Sequence, residues 1–185
     1  MVAELVVVTS NPGKLEEIRS VLSIPLVPVP LDVSEIQSMD VEEVAAEKAK
    51  AAWREIRRPL IVDDTSLYID GLGRLPGPLV TWFLSSLGAS GVAALLKSDQ
   101  RRNATAETCV ALALGENQVK TFVGRVEGEI SRQPRGEHGF GFDSIFIPSG
   151  MIRTYAEMSG VEKNAISTRF RALEKLQNYC AASLV

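Results

Sequence analysis

The sequence predicts an α/β fold in which helices flank a central, mixed and strongly twisted sheet. Leu5–Val8 is an unbroken apolar run, as expected of a strand covered on both faces, and a turn and a helical pattern follow it. A second apolar strand, at 60–62, follows a second helical pattern. Two long strand-like runs, at 104–114 and 119–130, are separated by turn residues and predict a hairpin. Helical crossovers combined with a hairpin indicate both parallel and antiparallel strands.

The first third of the chain is expected to alternate strands and helices. Residues 14–22 have apolar side chains at helical spacing, and residues 26–30 contain two prolines, which confine a strand to a sheet edge. Asp40 and Glu43 have the spacing of a capping box and are expected to open a second helix. Its core-facing side chains are predicted to be Val41, Val44, Ala45, Ala49, Ala52, Trp53 and Ile56.

The remaining elements are shorter and are separated by glycine-rich segments. They are a loop at 71–78, two short helices within 79–97 joined at 88–91, a loop at 136–141, a strand at 145–147 and a closing helix from about 164 to 180. The sequence shows no internal repeat and no separable linker. Residues 1–185 are therefore expected to form one domain with at most two lobes.

Composition and charge exclude several classes of protein. A formal net charge of −3 and a pI near 5.3 argue against a general nucleic-acid binder, and no apolar run is long enough to span a membrane. Cys109 and Cys180 lie in apolar stretches and are expected to be reduced core thiols, which favours a cytoplasmic location. With His138 as the one histidine, Ser-His-Asp catalysis and zinc chemistry are not expected.

The segment formed by Thr9, Ser10, Asn11, Pro12, Gly13 and Lys14 is a candidate phosphate site. It follows a strand and opens a helix, where unpaired N–H groups and the helix dipole favour an anion. Ser10 and Asn11 could supply neutral donors, and Lys14 could supply charge. The segment lacks the spacing of a P-loop, and an ordinary Asn-Pro-Gly turn beside a surface lysine is the alternative interpretation.

Asp63 and Asp64 directly follow the second apolar strand and could ligate a cation or accept a proton. Adjacent side chains of an extended segment point to opposite faces, so one of the two is expected to enter a given site. The alternative is that they cap a turn at the strand exit.

The segment Gly139, Phe140, Gly141, Phe142 and Asp143 could present a ring on which a base stacks. A core aromatic pair is the alternative. Lys163, expected just before the closing helix, and Lys48, on the second helix, are individually more typical of solvated side chains. Glu35 has no signal of its own.

Taken together, these segments resemble the inosine/xanthosine triphosphate pyrophosphatase family, whose members are Ham1-like enzymes acting on non-standard purine nucleotides. The resemblance covers nearly the whole chain, and its motifs occur in the family's order. These motifs are the segments 9–17, 62–67, 75–78, 135–136 with 139–143, 155–158 and 162–167. Each motif alone is weak, but their joint occurrence in order is specific.

The resemblance implies an elongated subunit with two lobes and a deep cleft between them, usually paired as a homodimer. It implies Mg²⁺-dependent hydrolysis of ITP, dITP or XTP between the α- and β-phosphates. Residues 9–14, Lys48 and Lys163 would hold the triphosphate. Glu35 and Asp64 would bind Mg²⁺, with Asp64 also the proton acceptor. The remaining substrate contacts would be Thr65, Phe140, Gly141, Phe142, Asp143, Thr168 and Arg169.

The sequence departs from the family pattern at Thr168, where a histidine is usual, and at Ser144, where a proline is common. Thr168 can still donate one hydrogen bond but cannot become cationic. Preference for 6-oxopurines is therefore expected to persist through Arg169. Two alternatives remain at this point: a septum-inhibition-type pyrophosphatase acting on pyrimidine or modified nucleotides, and a nucleotide-binding module without catalysis.

Overall fold

The computed structural model of the chain describes residues 4–183. Residues 1–3 and 184–185, which the single-domain prediction includes, lie outside the described part. Its strands are β1 (Leu5–Val8), β2 (Leu26–Val29), β3 (Leu60–Ile69), β4 (Pro76–Gly77), β5 (Asn103–Gly115), β6 (Gln118–Ile130) and β7 (Phe146–Pro148). Its α-helices are α1 (Pro12–Val21), α2 (Val41–Ile56), α3 (Val80–Ala94), α4 (Gly160–Asn164) and α5 (Thr168–Ser183). Within residues 4–183, no helix has both the length and the apolar character needed to cross a membrane.

The strands form one mixed sheet in the order β2-β1-β3-β5-β6-β7, with β4 paired to β3. Strand β1 pairs in parallel with β2 and β3, whereas β3–β4 and β6–β7 are antiparallel. Strand β2, which contains Pro28, lies at the sheet edge as its prolines predict. The predicted α/β class with a mixed sheet is confirmed.

The chain divides into two compact units. The first consists of the described residues up to Asp64, Thr108–Gly124 and the residues from Thr168 onward. The second consists of Thr65–Glu107 and Arg125–Ser167. Strands β3, β5 and β6 each contribute residues to both units. Each unit is packed around buried apolar clusters of its own, two in the first unit and one in the second, and each cluster contains residues of one unit only.

In the first unit, side chains of successive β1 residues enter different cores. Leu5 and Val7 join a cluster with α1 and α5, whereas Val6 and Val8 join a cluster with α2. This is the period of two expected of a strand covered on both faces. The same alternation continues in β3, where Ile61 belongs to the α1/α5 side and Leu60 and Val62 belong to the α2 side. The alternation sets the direction of the polar residues that follow.

In the second unit, the core collects apolar side chains from β3, α3, β5, β6 and the loop before β7. The largest fully buried members include Leu67, Ile69, Ile130, Ile145 and Phe146. Helix α3 is interrupted at Gly88, whose φ of 67° and ψ of 171° are not helical. This interruption lies within the predicted junction between two short helices.

Three predictions about elements are wrong. Strand β3 does not end at Val62 but continues through both aspartates, because each carboxylate is paired with a cation, as described below. The closing helix, α5, begins at Thr168 rather than at about residue 164, and the separate short helix α4 precedes it, opened by a capping box of Ser159 and Glu162. Lys163 therefore lies inside α4 rather than before a helix.

The predicted capping box of α2 is also wrong, although the helix begins where it was expected. Asp40 accepts a hydrogen bond from the N–H of Glu42 at 2.9 Å. The Glu43 carboxylate does not return to Asp40; it accepts from the Ser38 hydroxyl, which in turn accepts from the N–H of Asp40. Ser38 thus intervenes between the two ends of the expected box.

Candidate active site

At the start of α1, backbone N–H groups are hydrogen-bonded to a side chain of the same segment. The Asn11 side-chain oxygen accepts from the N–H groups of Gly13 and Lys14 at 2.9 and 3.2 Å, and Pro12 has no N–H to offer. Thr9 Oγ1 accepts from the Asn11 N–H at 3.1 Å, and Ser10 is exposed. The expectation that unpaired first-turn N–H groups attract an anion is therefore wrong for Gly13 and Lys14. The Lys14 ammonium lies instead against Asp63.

Asp63 lies on the α1/α5 side of β3, as the alternation of Ile61 requires. Its Oδ2 accepts from the Arg169 Nε at 2.9 Å and lies 3.3 Å from Lys14 Nζ. Lys14 Nζ also donates to the Asp63 carbonyl oxygen at 3.1 Å. Arg169 reaches a second carboxylate, that of Glu17 on α1. Two cations and two carboxylates thus form one compensated, buried network.

Burial alone would raise the pKa of Asp63, but the charges of Lys14 and Arg169 outweigh it and lower the pKa to about 2. The carboxyl therefore stays ionised at neutral pH. Burial likewise disfavours the Arg169 cation, yet Asp63 and Glu17 raise its pKa above the ordinary value. Arg169, predicted to contact the base, is held here at the two carboxylates of the first unit.

Asp64 points to the opposite, α2 side of β3. Its Oδ1 lies 2.8 Å from Lys48 Nζ, and the same ammonium lies 2.5 Å from Glu35 Oε1. Lys48 and Asp64 are largely buried, with side chains 17% and 14% exposed. The structure therefore brings together three residues that the sequence separates, including Glu35, which had no signal of its own.

The Asp64 site carries features that suit a cation. Its Oδ2 is buried and has no hydrogen-bond partner within the described residues, and the three charged groups sum to one negative charge. Burial raises the pKa of the Asp64 carboxyl, an effect that the Lys48 charge opposes. Carboxylate oxygens are the donors that Mg²⁺ prefers, so Glu35 and Asp64 fit this ion. Residues 4–183 contain no group of three or more acidic, histidine or cysteine side chains arranged to hold a metal.

Thr168, at the start of α5, is buried and forms a 2.7 Å hydrogen bond between its hydroxyl and that of Thr108 on β5. Either hydroxyl can be the donor. The Thr168 hydroxyl, predicted to read the base, therefore has an internal partner in the first unit.

A second group of predicted site residues assembles within the second unit. Asp143 Oδ2 accepts from the Phe140 N–H at 2.8 Å and lies 2.7 Å from Lys163 Nζ. The same ammonium lies 4.7 Å from the centroid of the Phe140 ring and 5.9 Å from that of Tyr155. Lys163 is buried rather than solvated. The loop that carries Phe140 is thus fixed by a buried ion pair.

Gly139 makes this arrangement possible. Its φ is 78°, and a Cβ at this position would lie 2.2 Å from the Asp143 carboxylate. Exposed Gly141 also has a positive φ, 64°. Phe140 is partly exposed, whereas Phe142 is buried in the core, with its ring centroid 5.9 Å from that of Phe146. Phe142 therefore lies in the core as the alternative interpretation expected, but its aromatic neighbour is Phe146, outside the segment, and Phe140 is partly exposed. Thr65 lies on β3, partly buried, as the first residue of the second unit.

Two residues of these networks were not identified from the sequence. Glu17 is three positions after Lys14 on α1, so helical spacing could have placed it on the same face. Thr108 lies within an apolar strand pattern, and no local signal identifies it.

Comparison with known proteins finds similarity over almost the whole chain. The sequence profile of the Ham1 family matches residues 5–179. The chain belongs to the Ham1 family. The protein named inosine triphosphate pyrophosphatase 2 of Trypanosoma cruzi (strain CL Brener) is 41% identical over 181 residues, which are 96% of this chain and 92% of that protein.

Further proteins similar to this Ham1-family chain come from two other organisms. The protein named dITP/XTP pyrophosphatase of Thermococcus kodakarensis is 39% identical over 183 residues, covering 97% of this chain and 98% of that protein. The solved structure of a HAM1 protein from Coxiella burnetii superposes with a TM-score of 0.85 at 32% identity, covering 97% of this chain and 99% of that one. The Ham1-like resemblance predicted from the sequence motifs is confirmed.

Proposed function

We propose that this chain hydrolyses non-standard purine nucleoside triphosphates, ITP, dITP and XTP, to the monophosphate and pyrophosphate. The relatives described above have names that specify this chemistry and align with nearly the full chain. The observation that carries the proposal is Asp64, whose buried Oδ2 has no partner among residues 4–183 beside a net negative charge.

Asp64 Oδ2 is proposed to accept the proton of the attacking water. A carboxyl whose pKa is raised by burial is a stronger base than one in water, which suits this role. Glu35 and Asp64 are proposed to hold Mg²⁺, which when bound would supply positive charge against the triphosphate and ease deprotonation of water. Lys14 and Lys48 add charge for the phosphates, so that positioning and neutralisation account for most of the acceleration.

Phe140, which is partly exposed, is proposed to stack on the base, with Asp143 holding its loop and Lys163 adding charge. Arg169 and Thr168 are proposed to read the 6-oxo group. Arg169 then shares its donors between substrate and carboxylates, because Asp63 and Glu17 already bind it.

The decisive experiment incubates the protein with ITP and Mg²⁺ and measures the released product. Pyrophosphate is expected, and orthophosphate would contradict the proposal. Asp64→Asn is expected to retain ITP binding, measured by calorimetry without a divalent cation, while turnover with Mg²⁺ falls by at least about 100-fold, the lower range for loss of a general base. Retained turnover would remove Asp64 from the role of base. ITP is expected to exceed ATP and GTP at least about tenfold in kcat/KM, which is about 1.4 kcal/mol of discrimination.

We further propose that the protein is a cytoplasmic homodimer. Both cysteines are unpaired and buried, which suits a reducing compartment. Trp82, Ile152 and Val161 are large apolar side chains that remain 71%, 86% and 83% exposed, and association would cover such surface. Sedimentation equilibrium is expected to give twice the chain mass of 20.1 kDa. A mass equal to that of one chain would contradict the dimer.

A further inference from the structure

We propose that Lys48 is an internal counter-ion of the Glu35–Asp64 pair, which a divalent cation must displace, so that cation and nucleotide bind cooperatively. This inference rests on the proposed function for its nucleotide but on the structure for its competition. Lys48 then does more than attract phosphate: it neutralises one of the two carboxylate charges while substrate is absent.

The geometry places the ammonium where a cation would have to bind. Lys48 Nζ lies 2.5 Å from Glu35 Oε1 and 2.8 Å from Asp64 Oδ1, so it contacts both proposed ligand groups at once. Two carboxylates from separate segments, 35 and 64, converge because one positive charge lies between them. A divalent cation and this ammonium would compete for the same two oxygens.

The site is also prepared for the exchange. Asp64 Oδ2 remains buried with no hydrogen-bond partner within residues 4–183. One carboxylate oxygen is therefore available to the incoming hydrated cation before Lys48 leaves. The set of Glu35, Lys48 and Asp64 retains one negative charge, which attracts a second cation. The attraction is weakened, however, as long as the ammonium stays.

The displaced ammonium needs a new anion, because an unpaired charge in a largely buried position is costly. A triphosphate supplies that anion. The nucleotide therefore stabilises the released state of Lys48, and the cation gains the two carboxylates that Lys48 vacates. By linkage, each ligand raises the affinity for the other.

The test measures binding of Mn²⁺ alone to the nucleotide-free full-length protein, with free Mn²⁺ determined by electron paramagnetic resonance. Lys48→Met removes the charge and keeps a side chain of similar length. It is expected to bind Mn²⁺ about tenfold more tightly than the wild type, or about 1.4 kcal/mol, near the low end of couplings between close charge pairs. Lys48→Arg, the matched control, retains the charge and is expected to stay within about threefold of the wild type.

Two outcomes would overturn the inference. One is equal or weaker Mn²⁺ binding by Lys48→Met, and the other is equal tightening by Lys48→Arg. Asp64→Asn must abolish the binding, which assigns it to this site; Mn²⁺ bound equally by that variant also counts against the inference. If Lys48→Met does not fold, Lys48→Gln replaces it with the same expected gain.

The cooperative step is tested with an ITP analogue that has a methylene group between its α- and β-phosphorus atoms. In the wild type the analogue is expected to tighten Mn²⁺ binding, and in Lys48→Met this gain is expected to shrink at least about threefold. An unchanged gain would contradict the exchange. The Mn²⁺ comparison contains no nucleotide, so it stands or fails independently of pyrophosphate release from ITP by the wild type.

Discussion

Neighbouring residues Asp63 and Asp64 occupy opposite electrostatic environments. Asp63 faces Lys14 and Arg169, and their charges hold its pKa at about 2 in spite of burial. Asp64 shares one lysine with Glu35, and burial raises its pKa. The difference follows from the alternation of side chains along β3. One aspartate is therefore suited to hold cations in place, and the other to accept a proton.

Asp63→Asn is expected to lower the free energy of unfolding by about 3 kcal/mol, because it leaves the buried Arg169 guanidinium and Lys14 undercompensated. Urea unfolding at neutral pH measures the change. Glu116→Gln is the control, since it removes a carboxylate from the exposed pair with Arg54 and should have little effect. Equal losses of unfolding free energy in the two variants would show that the buried Asp63 network stabilises the protein no more than an exposed ion pair does.

Cys109 and Cys180 are expected to be inert in the native protein. Burial raises the pKa of the Cys109 thiol to about 12, and burial also raises that of Cys180. A raised pKa lowers the fraction of thiolate, which is the reactive form. Titration with a chromogenic disulfide reagent should label neither of the two cysteines before unfolding and both after it. Rapid labelling of one thiol in the folded state would contradict this expectation.

At the scale of elements, the hydrophobic pattern predicted most of the fold. It located β1, the edge strand β2, α2, the β5–β6 pair and the interruption of α3 at Gly88. The hydrophobic pattern failed to predict structure where a polar side chain pairs with a residue from another segment of the chain. Strand β3 continues through two aspartates whose charges pair with Lys14, Lys48 and Arg169, cations from other segments of the chain.

For similar reasons, the candidate site could be predicted only in part from the sequence. Resemblance to family motifs identified Glu35, which has no local signal, whereas Glu17 and Thr108 were missed because their partners, Arg169 and Thr168, lie at the far end of the chain. The capping of α1 by Asn11 was missed because sequence shows the donors but not which acceptor takes them.

Gly88→Ala is expected to destabilise the protein by about 1–3 kcal/mol, because φ of 67° with ψ of 171° is accessible essentially to glycine alone. Steric overlap is not the reason, since a Cβ added at Gly88 would have no atom within 4 Å. Gly160→Ala, at the start of α4, also meets no atom within 4 Å but has no positive φ, so it should be neutral or slightly stabilising. Thermal unfolding compares the two. A loss for Gly160→Ala as large as that for Gly88→Ala would contradict the backbone explanation.

At the scale of the whole molecule, the net charge is −3, yet the proposed substrate is an anion. Long-range attraction therefore cannot supply the binding, and local lysines must do so. The chain positions Lys14, Lys48 and Lys163 each beside a carboxylate. This pairing keeps the cations fixed in the absence of ligand without making the surface basic.

The same charge predicts no general affinity for nucleic acid. A polyanion binds non-specifically to a basic protein surface because its condensed counterions are then released into solution, and a net charge of −3 does not favour such a surface. A mobility-shift assay with duplex DNA at physiological salt should show no complex at micromolar protein. A shift that disappears on raising the salt would reveal a basic face and contradict this expectation.

The alternation of side chains along β3 also means that the register of this single strand decides which cations Asp63 and Asp64 each face. Removing one residue between Leu60 and Asp63 would turn each carboxylate to the opposite face of the strand, bringing Asp64 to the side of Lys14 and Arg169 and Asp63 to the α2 side. Composition would hardly change, but every distance to the neighbouring helices would. For engineering, β3 is thus a segment in which substitutions are safer than any change of length.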